Sequence, residues 1–288
     1  MRRLFALAGL FVTACVSQPA AQATAHPSPS PSPPPGVASD RGVEVDGAAA
    51  VHDITYASGS RTVVAYLVLP VQQPAKAGVL FFHWLSSSGG NRAEFKAEAV
   101  DLASKGVASL LVQGDFPWST QPSGAEHDMQ AIHGEVAGVK AGVDLLLKQP
   151  GVEAQHIAYV GHDYGAMHGT VLLAEDLRFA GAVLMAADSR WVNWFSEYWN
   201  FLKTPAERAD YAKALAPLDP TTELRSIRCN VLLQFARSDE YIPLARAQAV
   251  EAAVPAKLRT TRWYDSDHAL NDAARKERDA WLVALLGL

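Results

Sequence analysis

The chain has 288 residues, 49% of them apolar and 19% charged, a globular composition long enough to bury one large core. Its net charge of −5 supplies no basic footprint and argues against nucleic acid as a partner. With two cysteines, Cys15 and Cys229, there is no disulfide framework. His127, His133, His156, His162 and His168 show no metal-ligand spacing, so we expect neither a metal nor another cofactor.

The chain opens MRRLFALAGLFVTACVSQPAAQA. Arg2 and Arg3 form a charged start, and Leu4–Ala14 is an apolar run too short to span a bilayer. Residues 1–23 are therefore expected to be an export signal. Val12-Thr13-Ala14-Cys15 resembles a bacterial lipobox, which implies a lipidated Cys15; Ala21-Gln22-Ala23 is the competing small-x-small cleavage site. Either reading implies an exported bacterial protein: periplasmic, lipid-anchored at Cys15, or secreted. Residues 24–45 contain HPSPSPSPPPG, which favours extended, hydrated backbone, and are expected to be a linker without fold energy up to about Val37.

The folded domain is expected over 46–288. Val51–Tyr56 and Arg61–Leu69 read as strands, the second by its alternation. Ala77–Trp84 is a continuous apolar run, hence a buried strand, followed by a helix over Asn91–Lys105 and a strand over Ala108–Val112. Met129–Leu147 has helical periodicity and stops at Pro150-Gly151. Ile157–Val160, Gly181–Ala187, Val231–Phe235 and Leu258–Tyr264 read as strands, alternating with helices over Ala166–Leu177, Leu244–Ala253 and Asp272–Leu286. Cys229, at the approach to one of these strands, reads as a buried free thiol. Eight strands alternating with helices predict an α/β fold with a doubly wound, mostly parallel sheet. Asp188–Asp219 breaks the alternation with Trp191, Trp194, Phe195, Tyr198, Trp199, Phe201 and Tyr211, including three of the seven tryptophans. It is expected either to roof a pocket or simply to pack on the domain.

Chemistry concentrates at three turns. Gly161-His162-Asp163-Tyr164-Gly165 lies between a strand and a helix, with glycines where the two backbones must pass closely. Asp239, in ARSDEYIP, follows a later strand, and His268, in YDSDHA, follows the last. The order nucleophile, acid, base is that of α/β-hydrolases. The pentapeptide resembles the elbow of epoxide hydrolases and, more loosely, of haloalkane dehalogenases. The Asp239 loop resembles that of dienelactone hydrolases. The resemblance runs from about Val51 to the C-terminus. It implies the α/β-hydrolase fold, a cap at 188–219, and Asp163, Asp239 and His268 as catalytic residues, with Glu240 one place off the pattern.

At the oxyanion loop, Phe82–Gly90, family members carry His-Gly where this chain has His83-Trp84. Backbone N–H groups of Trp84 and Tyr164 are the expected donors, with Trp84 itself entering the pocket. An aspartate suits displacement at a saturated carbon, because attack on an ester would leave an anhydride. The expected function is hydrolysis of a small epoxide or haloalkane through an Asp163 ester that water opens with His268 and Asp239. The alternatives are a dienelactone-hydrolase-like esterase and a non-catalytic binding protein. Tyr198 or Tyr211 would assist an epoxide oxygen; Trp84, Trp191, Trp194 or Trp199 would assist a halide.

Overall fold

A computed structural model describes residues 33–85, 91–117 and 120–288, with the backbone alone at 197 and 198. The stretch expected to be an export signal, with Cys15, and Ser86–Gly90 lie outside the described residues. Among those described, no helix is long and apolar enough to cross a membrane.

The sheet has nine strands, one more than the alternation predicts. They are β1 (Ser39–Asp46), β2 (Ala49–Ser58), β3 (Arg61–Pro70), β4 (Ala77–Phe82), β5 (Val107–Val112), β6 (Ile157–His162), β7 (Gly181–Met185), β8 (Asn230–Ala236) and β9 (Arg259–Tyr264). Their order is β1-β2-β3-β5-β4-β6-β7-β8-β9. The first three strands join the sheet antiparallel; β5, β4 and β6 to β9 run parallel. The extra strand, β1, lies mostly within the stretch read as a linker. It is an exposed edge strand, so it carries no buried apolar run to announce it. Just before it, Gln149 Nε2 donates to Pro35 O over 2.8 Å and Ala38 N to Thr55 O over 2.8 Å, so this part of the Pro-rich stretch docks.

Helices cover both faces: α1 (Lys96–Ala103), α2 (Ala125–Leu146), α3 (Tyr164–Glu175), α4 (Trp191–Tyr198), α5 (Pro205–Leu215), α6 (Pro220–Glu223), α7 (Leu244–Ala253) and α8 (Asp272–Leu286). Strand alternation divides the core. Leu80, Phe82, Tyr159 and Leu184 pack with residues of α2 and α3, while Val79, Phe81, Val160 and Val183 pack with residues of α1 and α8. This two-sided burial is why β4 to β7 are buried at every position and read as largely apolar runs.

The 188–219 insertion contains α4 and α5. Thr204 and Glu207 form a reciprocal capping box that starts α5. Asp219 Oδ1 accepts the Trp191 N–H over 2.9 Å, and Trp191 Nε1 donates to Leu218 O over 2.8 Å, which ties the start of the insertion to its end. Trp191, Trp194 and Phe195 are fully buried in the main core. Packing and proximity to the site therefore coexist in this segment.

Candidate active site

Side chains at the carboxyl ends of the parallel strands converge, as open α/β sheets favour. β6 ends at His162, and Asp163 follows with φ of 45°. A non-glycine residue there carries backbone strain, which surrounding structure must hold. The glycines explain how. A Cβ on Gly165 would lie 1.9 Å from Phe82 O, and one on Gly161 would lie 2.6 Å from the Gly165 carbonyl carbon. Strand and helix thus approach too closely for any side chain, and the turn projects Asp163 from the end of β6.

Asp163 is buried, and both carboxylate oxygens are held. Trp194 Nε1 donates to Oδ1 over 2.7 Å, and the Leu85 N–H donates to Oδ2 over 3.2 Å. Burial pushes its carboxyl above the usual range; the charges of His268 and His162 and the two N–H donors pull it back.

Asp239 and His268 come from the loops after β8 and β9. His268 Nδ1 lies 3.0 Å from each Asp239 oxygen, while Asp239 Oδ1 accepts from the Tyr241 and Ile242 N–H groups over 2.9 Å. Burial works against the imidazolium of His268. Its bond to Asp239 and the charges of Asp163, Asp239 and Glu240 outweigh that and raise its pKa. Burial likewise disfavours the Asp239 carboxylate, but His268 and the two N–H donors hold its pKa below the ordinary value. Glu240 acts on His268 only through its charge, while Asp239 touches it. The Asp239 contact occupies Nδ1 and leaves Nε2 as the nitrogen for proton transfer.

The oxyanion loop departs from expectation. The Trp84 N–H donates to Glu94 Oε2 over 2.7 Å, so the donor facing Asp163 belongs to Leu85, one residue later. The Trp84 indole stacks on His162 and His268, with centroids 5.2 and 5.7 Å apart. His83 is held by hydrogen bonds within the protein. It is buried, with Nδ1 2.7 Å from Trp84 O and Nε2 accepting the Gly114 N–H over 3.0 Å, and burial lowers its pKa. The Tyr164 hydroxyl donates to Glu135 Oε2 over 3.1 Å, and its ring packs near Trp194. Tyr211 donates to Asp128 Oδ2 over 2.7 Å, which commits its proton away from the candidate nucleophile. Trp199 is half-buried, with its ring 5.6 Å from that of Trp194. The Tyr198 side chain lies outside the described residues.

Leu85 and Glu94 are the residues that sequence reasoning passes over. Leu85 acts through its backbone, which no side-chain pattern marks, and Glu94 is a lone acid ahead of α1. Among the described residues no group of three His, Cys, Asp or Glu side chains is arranged to hold a metal.

Residues 129–277, just over half the chain, match the prolyl oligopeptidase family, and the match takes in Asp163, Asp239 and His268. The chain belongs to that family. This prolyl oligopeptidase family member is a hydrolase of the α/β-hydrolase fold, with an aspartate where the nucleophile elbow ordinarily holds serine. It is similar in structure to 2,6-dihydroxy-pseudo-oxynicotine hydrolase (TM-score 0.64, 19% identity, covering 83% of this chain and 68% of that one). It is also similar to acetyl xylan esterase 1 of Thermoanaerobacterium sp. JW/SL YS485 (TM-score 0.63, 13% identity, 85% and 87% covered). A third similar structure is a cold-adapted esterase from an Arctic intertidal metagenomic library (TM-score 0.63, 16% identity, 86% and 99% covered). At these identities the likeness concerns the fold. No curated protein sequence matches the chain.

Proposed function

We propose that this family member uses Asp163 as a nucleophile at a saturated carbon, on a small substrate of the alkyl halide type, and releases the product with water activated by His268 and Asp239. The observation that carries the reading is the pair of donors on Asp163. Leu85 N–H, where an acyl-transfer enzyme would hold a developing oxyanion, is occupied by the carboxylate itself. Trp194 Nε1 holds the other oxygen. Such an arrangement aims a carboxylate.

In the first step an Asp163 oxygen forms a bond to carbon while the carbon–halogen bond breaks and halide leaves. In the second, water attacks Cγ of the Asp163 ester and gives its proton to His268 Nε2. The ester bond then breaks, and the alcohol departs with that proton. Asp239 orients the ring and stabilises its charged form, as a triad acid does. Halide is favoured over epoxide because the phenols of Tyr164 and Tyr211 are bound to Glu135 and Asp128 rather than turned towards an epoxide oxygen. A halide leaves as an anion, whereas an epoxide oxygen needs a proton.

A second reading, hydrolysis of esters or amides, is favoured by the family match and by the esterases of similar fold. Turnover of 1-bromobutane, styrene oxide and p-nitrophenyl acetate separates the two, with intact-mass measurement of His268→Gln. The proposal expects an alkyl adduct on the Asp163 peptide after 1-bromobutane. Hydrolysis of p-nitrophenyl acetate alone, or turnover that survives Asp163→Ala, would overturn it.

A further inference from the structure

Beside the Asp239–His268 pair stands a second carboxylate–histidine pair. Glu94 Oε1 lies 2.6 Å from His162 Nδ1, and His162 Nε2 lies 3.0 Å from the backbone oxygen of His268. The other Glu94 oxygen takes the Trp84 N–H over 2.7 Å. His162 is 1% exposed, and Trp84 lies over it almost parallel, at 10°. His162 and His268 also stack, with centroids 5.2 Å apart.

Both nitrogens of His162 face oxygen, so the ring has no lone pair turned to a water and is not a second base. Its neighbours are the informative part. His162 immediately precedes Asp163. Through Nε2 it grips the main chain of the residue proposed as base. Through Glu94 it is joined to Trp84, whose successor Leu85 supplies the N–H on Asp163 Oδ2. Three strand ends, those of β4, β6 and β9, meet at this one pair.

We propose that Glu94 and His162 form a positioning pair that fixes the His268 base and the Leu85 donor relative to Asp163. The inference rests on the reading of Asp163 as nucleophile and His268 as base. Neither Glu94 nor His162 has to touch the substrate. Each acts through another residue, and loss of either lets the β9 loop and the β4 end drift independently. A misplacement of about an ångström between reacting groups costs on the order of 100-fold in rate.

The test follows the His268 ring directly, by proton NMR titration, with its signal assigned as the one absent from His268→Gln. The ring is faced by Asp239 and Glu240 from the β8 loop, by Asp163 and His162 from the elbow, and by Trp84 and Tyr241 as aromatic neighbours. His162→Gln is the decisive variant. Removing a group that can carry positive charge would by charge alone raise the His268 midpoint, whereas a loosened Asp239–His268 contact lowers it towards 6.5. The proposal expects the lower midpoint, in a protein that still melts cooperatively. Glu94→Gln, nearly the same shape, should lower kcat on 1-bromobutane by about 10- to 100-fold with little change in KM, and the double variant should lose no more than the worse single one. An unchanged or raised His268 midpoint in folded His162→Gln would overturn the positioning pair. A lowered midpoint together with no turnover of any probe by the wild-type protein would instead overturn the halide chemistry and leave the pair standing.

Discussion

The indole nitrogen of Trp194, in the segment inserted after β7, donates to Oδ1 of Asp163, at the end of β6, over 2.7 Å. A residue that the sequence places in a connection is thereby in direct contact with the candidate nucleophile. Because Trp194 is also fully packed in the core, its donor is held in place before any substrate arrives.

Trp194→Phe keeps an aromatic ring and removes the N–H. If that donor aims the carboxylate, kcat/KM on 1-bromobutane should fall by about 100-fold, the scale of losing one preorganised donor. A steady-state assay beside a thermal melt checks this. A melt that collapses in step with activity would assign the ring to packing alone.

The pH profile carries a sign. Water activation needs neutral His268, and its pKa lies above 6.5 because Asp239, with the nearby acidic charges, favours the imidazolium against burial. Hydrolysis of the Asp163 ester should therefore rise with pH, through a midpoint below that of the free enzyme because esterification removes the Asp163 charge that helps to raise it. Asp239→Asn removes that support, so the midpoint should move down while the maximal rate falls. Single-turnover decay of the alkyl enzyme across pH is the measurement.

Gly165→Ala tests the elbow. The new methyl would sit 1.9 Å from Phe82 O, a backbone atom that cannot step aside without moving β4. The expected cost is about 3 kcal/mol or more, seen as a melting temperature lower by roughly 10 °C. A variant of unchanged stability would mean that α3 and β4 are less closely apposed than the carbonyl contact implies.

The N-terminal boundary is also testable. A protein beginning at Pro33 retains the Gln149–Pro35 and Ala38–Thr55 hydrogen bonds and all of β1. One beginning at Gly47 loses them and uncovers the edge of β2. At about 1 kcal/mol per net hydrogen bond the two named bonds alone contribute about 2 kcal/mol, and loss of the β1 ladder adds to this, read by denaturant titration. Equal midpoints for the two would return this stretch to the role of a linker.

The sequence alone determined what depends on local chemistry and burial. Apolar runs between helical patterns mark strands covered on both faces, and the Gly161 and Gly165 flanks mark a turn where backbones nearly touch. Asp163, then Asp239, then His268, each after a strand, mark the order of a hydrolase. β1 was not legible, because an exposed edge strand needs hydrogen bonds to β2 rather than a buried stripe. The partners of Asp163 were not legible either. Whether Trp84 or Leu85 turns its N–H to the carboxylate depends on Glu94, ten residues further along the chain, taking the first of them. Trp194 is one of several aromatic residues in its segment, and only the packing of α4 against α3 brings its nitrogen to Asp163. Hydrogen bonds between distant segments leave no periodicity in the chain; they exist only once the strand ends have been brought together.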